Sequence, residues 1–441
     1  MPHLVSIEES KEQSPTRIVE VAAAREVRLS RMLMVYIVTG LLFMLLPGTF
    51  LGVWNLITIS THRAVGTASS AWIQAHGHAQ IFGWIGTFIL GIGYYSIPKL
   101  RGAKLSALWA PWTSWTLWTL GVILRWAVGV YEWQWRALLP ISAVLELTAF
   151  VVFFVTISGH RTRDNRNSKL DDWILVVIAG SLGWLSSLLI NLLAAVFLSL
   201  REESPVLPHG FDQRFLVLQT WGFLVPFVWG FSAKWLPVFL GLKAVRSRWL
   251  LRAVAVNTSG VLAAMFGWME VSTVVLAAGI ALAAYSLRLF EPAERPAKTT
   301  GVHPSFPLFV RLAYAWAIIA ALLGVWASFT VTAPGIWGSS RHALTVGYLA
   351  IMVFAVGSRV LPAFSGMKQL FSRGLMFWSL LLLSSGCLLR VSAQILAYQG
   401  FAAAAWAWLP VSAITEMTAV TIFAVNLLIT FAQSRRNGNE T

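Results

Sequence analysis

Long apolar runs, broken by short charged or turn-rich stretches, fill most of this chain. They lie at roughly 32–53, 71–98, 107–128, 137–158, 173–199, 214–240, 249–268, 271–290, 308–331, 337–362, 374–397 and 402–431. A helix of about 20 apolar residues crosses a bilayer's hydrocarbon core, and each run is near or above that length. The pattern predicts an all-α integral membrane protein with twelve transmembrane helices. The break around Glu270, between the seventh and eighth runs, is the shortest. The expected layout is a tail over 1–30, one transmembrane domain over 31–432 and a second tail over 433–441.

The chain also resembles itself. From His78 it reads HAQIFGWIGTFILGIGYYSIPKL, and from His342 it reads HALTVGYLAIMVFAVGSRVLPAF. Laid together without gaps, His78 meets His342, Gly83 meets Gly347 and Pro98 meets Pro362. Downstream, LPISAVLELTAF (139–150) matches LPVSAITEMTAV (409–420), which pairs Glu146 with Glu416. A weaker third copy, QTWGFLVPFVWGFSAKWLP (219–237), keeps the Gly222-to-Pro237 spacing and has Val217 where the others have histidine. The expectation is three pseudo-repeats of four helices, roughly 31–160, 171–290 and 305–432. Such repeats pack pseudosymmetrically around sites at their interfaces.

Composition agrees with a membrane class. Apolar residues make up 57% of the chain and charged residues 12%, against roughly a quarter charged in soluble domains. The net charge of +15 suggests nucleic acid until its placement is considered. On the twelve-span layout only Arg63, Arg125, Arg136, Arg201, Arg214, Arg341 and Arg390 fall on the outer side, seven of 33 basic residues. Clusters such as Arg161/Arg163/Arg166/Lys169 and Lys243/Arg246/Arg248/Arg252 fall inside, as the positive-inside rule requires. The basicity therefore belongs to topology, and nucleic acid is not an expected partner; membrane lipid is. The first thirty residues are too acidic and too long for a cleaved signal, so they are expected as a cytoplasmic tail before an uncleaved first helix, and twelve spans return the C-terminus to the same side. The single cysteine, Cys387, excludes a disulfide framework, a thiolate metal cage and covalent c-type heme attachment.

Ionisable groups within spans are candidates for function. Of the eight histidines, His3, His160 and His303 are expected in solvated tails or loops, and His62 and His209 in outer loops. His76, His78 and His342 lie near the outer ends of their helices, where neutral imidazoles make good metal ligands. Residues two apart on a helix differ by about 200° in direction, so His76 and His78 should serve different sites. Repeat symmetry sends His78 and His342 to equivalent but separate clefts, which pairs His76 with His342 across the interface of repeats one and three. His78 is left for a second site or for packing. Arg125 with Glu146, and Arg390 with Glu416, read either as ion pairs joining neighbouring helices or as arginines for an anionic cofactor group; Glu146 and Glu416 read also as proton gates. Most of the 23 tryptophans read as interfacial anchors, while Trp72, Trp84, Trp126 and Trp337 could wall a pocket.

The run HGHAQIFGWIGTFILGIGYYSIPKL resembles the second helix of the heme-copper oxidase and nitric oxide reductase catalytic subunits. That resemblance implies low-spin heme at His76, which lies 22 residues before Pro98, and at His342. It also implies a high-spin ligand where Ser340 stands, and copper ligands in spans six and seven, residues 214–268, which hold no histidine. A closer resemblance is to the NnrS-like membrane proteins, a heme- and copper-containing family tied to nitric oxide metabolism. It is carried by RHALTVGYLAIMVFAVGSRVLPAFSG (341–366), including the Arg359-Val360 step. HGHAQIFGW, WLSSLLINLLAAVF (184–197) and AKWLPVF (233–239) add to it. Gln80 departs from that family's acidic residue just after the second histidine. The resemblance implies non-covalent b-type heme and copper, metal ligands among His76, His78 and His342, and Arg125 and Arg390 beside the heme. It implies gas binding or electron transfer in the nitric oxide response, with a small gas such as nitric oxide as ligand and no reductive binuclear site. A working oxidase or reductase subunit and a twelve-helix transporter are the alternatives.

Overall fold

In lipid a backbone polar group finds no water, so a spanning segment must satisfy its own hydrogen bonds, as a helix does. The computed structural model describes residues 15–101, 108–159, 170–330 and 334–439, and it is helical with no strand among them. His3, His160 and the basic run Arg161, Arg163, Arg166 and Lys169 lie outside the described residues.

Among the described residues ten helices are long and apolar enough to cross a membrane. They are α1 (Ala23–His62), α2 (Ser70–Leu100), α4 (Trp135–Ser158), α5 (Asp172–Arg201), α6 (His209–Leu240), α8 (Met269–Leu287), α9 (Phe306–Phe329), α10 (Gly335–Phe364), α11 (Arg373–Tyr398) and α12 (Ala405–Ser434). Two further helices, α3 (Trp109–Tyr131) and α7 (Ser247–Met265), stand between them in the chain, long enough but without reaching the same apolarity. Against the expected twelve spans the count is thus ten candidates and two additional helices. The chain is an all-helical, multi-pass membrane protein.

The first helix departs most from its expected bounds. Helical structure begins at Pro15, inside the segment read as a tail, and continues to His62. Glu26 explains the extension, because it ties the early turns of α1 to Tyr95 and Lys99 of α2. At the other end, His62 closes α1 and His209 opens α6, so neither histidine sits in a loop.

Four helices contain a stretch of π-helix, at Met44–Phe50, Ala79–Gly86, Leu218–Leu224 and Ala343–Ala350. The last three begin immediately after His78, Val217 and His342. Such wider turns often mark functional sites. In α1 the widening contains Pro47, which lacks the N–H for an ordinary turn.

The hairpins α3–α4, α7–α8 and α11–α12 pack closely along their length. Each crosses at a glycine. A Cβ on Gly121 would lie 2.8 Å from Glu146 Cγ, one on Gly260 would lie 2.9 Å from Leu276 Cγ, and one on Gly386 would lie 2.7 Å from Glu416 Cγ. Beside the first of these crossings lies a layer of buried rings, in which Phe82 packs on Trp118 and Phe223, and Trp184 stacks on Phe223 at 4.4 Å. His78 meets that layer, its ring 4.8 Å from Phe82.

Candidate functional site

Polar side chains within membrane helices gather where they can pair or line a cavity. Here they gather around one cavity of about 370 Å³ bordered by residues of α1, α2, α3, α5, α6, α10, α11 and α12. Its wall is mainly apolar. His76, His78, Arg125, His342 and Arg390, carried by four different helices, all border it. His78 and His342 thus face a common space, where repeat symmetry had placed them in separate clefts. The cavity wraps around α2, so residues pointing in opposite directions from that helix can share it.

Each histidine is held, and the holding partner fixes which nitrogen remains. His76 Nδ1 donates to the carbonyl of Gly48 in α1 at 2.8 Å. A carbonyl only accepts, so Nδ1 carries the proton and Nε2 keeps its lone pair. His78 does the reverse, donating from Nε2 to Glu146 Oε1 of α4 at 2.7 Å. His342 repeats this with Glu416 Oε1 of α12 at 2.8 Å. The remaining nitrogen is therefore Nε2 at His76 and Nδ1 at His78 and His342. His76 and His78 do point to different helices, as the 200° argument requires. His342, Arg390 and Glu416 lie close enough to His76 to act on its charge.

The two histidine–glutamate pairs correct the expected arginine–glutamate ion pairs. No such pair forms between Arg125 and Glu146, or between Arg390 and Glu416, among the described residues; the carboxylates go to imidazoles instead. The reason is local: Gly121 and Gly386 let each glutamate stem lie flat on the neighbouring helix, directing its head toward the histidine helix. Arg125 and Arg390, one turn beyond those glycines, remain in the cavity wall with Arg125 Nε and Arg390 Nη1 unpartnered. Arg390 lies against Tyr398.

Several other buried polar atoms in the wall have no partner, among them Gln80 Oε1, Trp84 Nε1, Asn191 Nδ2 and Gln394 Oε1. Leaving a buried polar group unpaired costs about 1–3 kcal/mol. A wall with this many is built to meet something polar. Among the described residues no three histidine, cysteine, aspartate or glutamate side chains are placed to hold a metal ion by themselves. Of the four tryptophans considered as pocket walls, Trp84 borders the cavity, while Trp72 donates to the Val130 carbonyl.

Sequence reasoning missed Arg341, Asp212, Asn191, Gln219 and Gln394, which also border the cavity. Arg341 had been counted as an outer-side charge, although its place beside His342 was a signal. Asp212, Asn191 and the glutamines carry no pattern that marks them. No curated protein matches the chain. The family model for NnrS protein matches residues 33–435, a span that includes every residue bordering the cavity. With nearly its whole length matched, cavity included, the chain belongs to the NnrS protein family.

Proposed function

We propose that this protein holds non-covalent b-type heme in the cavity, between His76 and His342, and serves the nitric oxide response of a bacterial inner membrane. Its role there is gas binding or electron transfer, and both termini face the cytoplasm. The observation that carries the reading is His76: its Nδ1–H is spent on Gly48, which leaves Nε2 as a ligand lone pair beside the cavity. Metal-bound histidines characteristically donate their other ring N–H in this way.

The remaining residues fit such a group. His342 offers Nδ1 while Glu416 fixes its ring from the other side. Arg390 and Arg125 suit the carboxylates of a heme, since a guanidinium recognises a carboxylate through paired N–H donors. The apolar wall, with residues such as Val53, Leu56 and Val420, suits a flat macrocycle. Heme held by two imidazoles supplies one-electron chemistry whose potential the axial ligands and their surroundings set. His78, tied to Glu146 and packed on Phe82, is not needed for that pair; copper, if bound, would use it. α7 and α6 beyond its first residue, the exposed His209, contain no histidine, which argues against an oxidase-like copper centre on α6 and α7.

The same reading takes the chain as twelve helices in three units, α1–α4, α5–α8 and α9–α12. The π-helical turns after His78, Val217 and His342 and the three glycine crossings support it.

A visible spectrum of the purified protein, with a pyridine hemochrome assay and copper analysis, tests the proposal. A low-spin b-type spectrum is expected, lost in His76→Ala and in His342→Ala and kept in His78→Ala. Purified protein without heme, or a spectrum lost only in His78→Ala, would refute it.

A further inference from the structure

The sequence draws no attention to α1, yet α1 makes the contact that decides how His76 can act. We infer that Gly48 and Gly52 of α1 form the positioning cradle of His76, fixing its tautomer and aiming its Nε2 into the cavity. This rests on the reading of His76 as a ligand only for its consequence; the geometry stands independently.

Two features make the cradle. The first is a carbonyl. Gly48 lies in the π-helical turn Met44–Phe50, and its carbonyl accepts from His76 Nδ1 at 2.8 Å. The second is a missing side chain. A Cβ on Gly52 would lie 2.6 Å from His76 Cε1, 3.0 Å from Nδ1 and 3.3 Å from Nε2, so the imidazole lies across that glycine. Gly48 and Gly52 are one turn apart and share a face of α1. On α2 the matching residues are His76 and Gln80, also one turn apart. Gln80 donates from Nε2 to Thr49 Oγ1 at 3.1 Å, and a Cβ on Gly48 would meet its amide at 2.8 Å. The two glycines thus admit a two-residue edge of α2, and the carbonyl between the helices orients the ring.

The alternative tautomer is excluded by the same contacts. With the proton on Nε2, the Nδ1 lone pair would face the lone pairs of the Gly48 carbonyl. Rotating the ring to avoid this is blocked only while α1 stays close, which requires Gly52 to lack a side chain. Outer-shell partners of metal-bound histidines are typically worth about 10–100-fold in metal affinity. Gly52→Ala should therefore weaken heme binding by about 10–100-fold without removing any ligand atom.

The test uses the full chain in detergent micelles, labelled with 15N in histidine. The His76 signals are assigned by their loss in His76→Gln. In cofactor-free wild type the expected form is neutral with the proton on Nδ1, and Gly52→Ala should shift His76 to a mixture of tautomers. Gly66→Ala, where a Cβ would meet nothing within 4 Å, is the control and should change neither tautomer nor heme affinity. A wild-type His76 protonated on Nε2 would overturn the inference without any variant being made. So would a Gly52→Ala protein with wild-type His76 signals. If wild type shows the Nδ1–H form but takes up no heme, the cradle stands and the heme reading falls.

Discussion

The hairpin α7–α8 and the hairpins α3–α4 and α11–α12 make the same crossing with opposite chemistry. At α7–α8, Gly260 receives Leu276, where Gly121 receives Glu146 and Gly386 receives Glu416. Four residues past the glycine, Ala264 stands where the other hairpins have Arg125 and Arg390. On the helix opposite, Val217 precedes its π-helical turn as His78 and His342 precede theirs. One hairpin with the helix opposite it thus carries valine, leucine and alanine in the places where the other two sets carry histidine, glutamate and arginine. The helix packing is satisfied either way. The polar sets are therefore not needed to build the crossing, and their presence in the other two hairpins calls for a reason beyond folding.

The sharpest way to break this comparison is to give a polar hairpin the apolar set. The triple variant His342→Val, Glu416→Leu, Arg390→Ala should fold, with stability within about 1–4 kcal/mol of wild type in either direction, because replacing a buried polar pair with packed apolar groups is often neutral or stabilising. It should lose the low-spin heme spectrum entirely. The matching variant His78→Val, Glu146→Leu, Arg125→Ala should also fold and should keep the low-spin form of that spectrum, with weaker heme retention because Arg125 is gone. Thermal melts in detergent and absorption spectra read both outcomes. If neither triple variant folds, the polar sets are structural and the comparison fails.

A smaller effect tests whether the three crossings are alike. Alanine at Gly121, Gly260 or Gly386 would bring a methyl within 2.7–2.9 Å of the residue it receives. Overpacking of that kind typically costs about 1–3 kcal/mol. Gly386→Ala should be the mildest, because Glu416 borders the cavity and its head can move into it. Gly260→Ala should be harsher, since Leu276 is 3% exposed and does not border the cavity. Melting temperatures in one detergent decide the order, and Gly386→Ala as the most damaging of the three would contradict it.

How much of this was legible from the sequence follows from what periodicity can carry. Apolar length alone marks each of the ten candidate spans and the boundaries of most helices, though it also marks 107–128 and 249–268, and the equivalence of His78 with His342 follows from a repeat without gaps. The partners of Glu146 and Glu416 do not follow. Formal charge favours Arg125 and Arg390 as partners, but a sequence shows which residues share a helix, not which of two neighbours lies at a carboxylate. Gly121 and Gly386 decide that, and a lone glycine in an apolar helix has no mark to distinguish a crossing from an accident. The same limit hid Gly48: its carbonyl accepts from Leu51 N–H and also from His76, and no residue letter marks a backbone oxygen that takes a second, side-chain donor. Asp212 and Asn191 reach the cavity from α6 and α5 only because the bundle closes around α2.

The two polar pairs themselves differ in one respect, which gives the finest test. His78 and Glu146 side chains are 7% and 0% exposed, against 22% and 11% for His342 and Glu416. Both imidazoles give their Nε2–H to a carboxylate at nearly the same distance, so intrinsic nucleophilicity at the remaining Nδ1 should be similar. Access is then the main difference. His78 is covered by Phe82, whereas the carbonyl of His342 lies near Cys387 and its ring is left open to the cavity. With diethyl pyrocarbonate on cofactor-free protein, His342 should be modified several-fold faster than His78, and the exposed His62 faster than either. Peptide mass spectrometry over a time course reads the order. His78 reacting before His342 would mean that the first pair is the open one, and His342 would lack the access that its role as ligand partner of His76 requires.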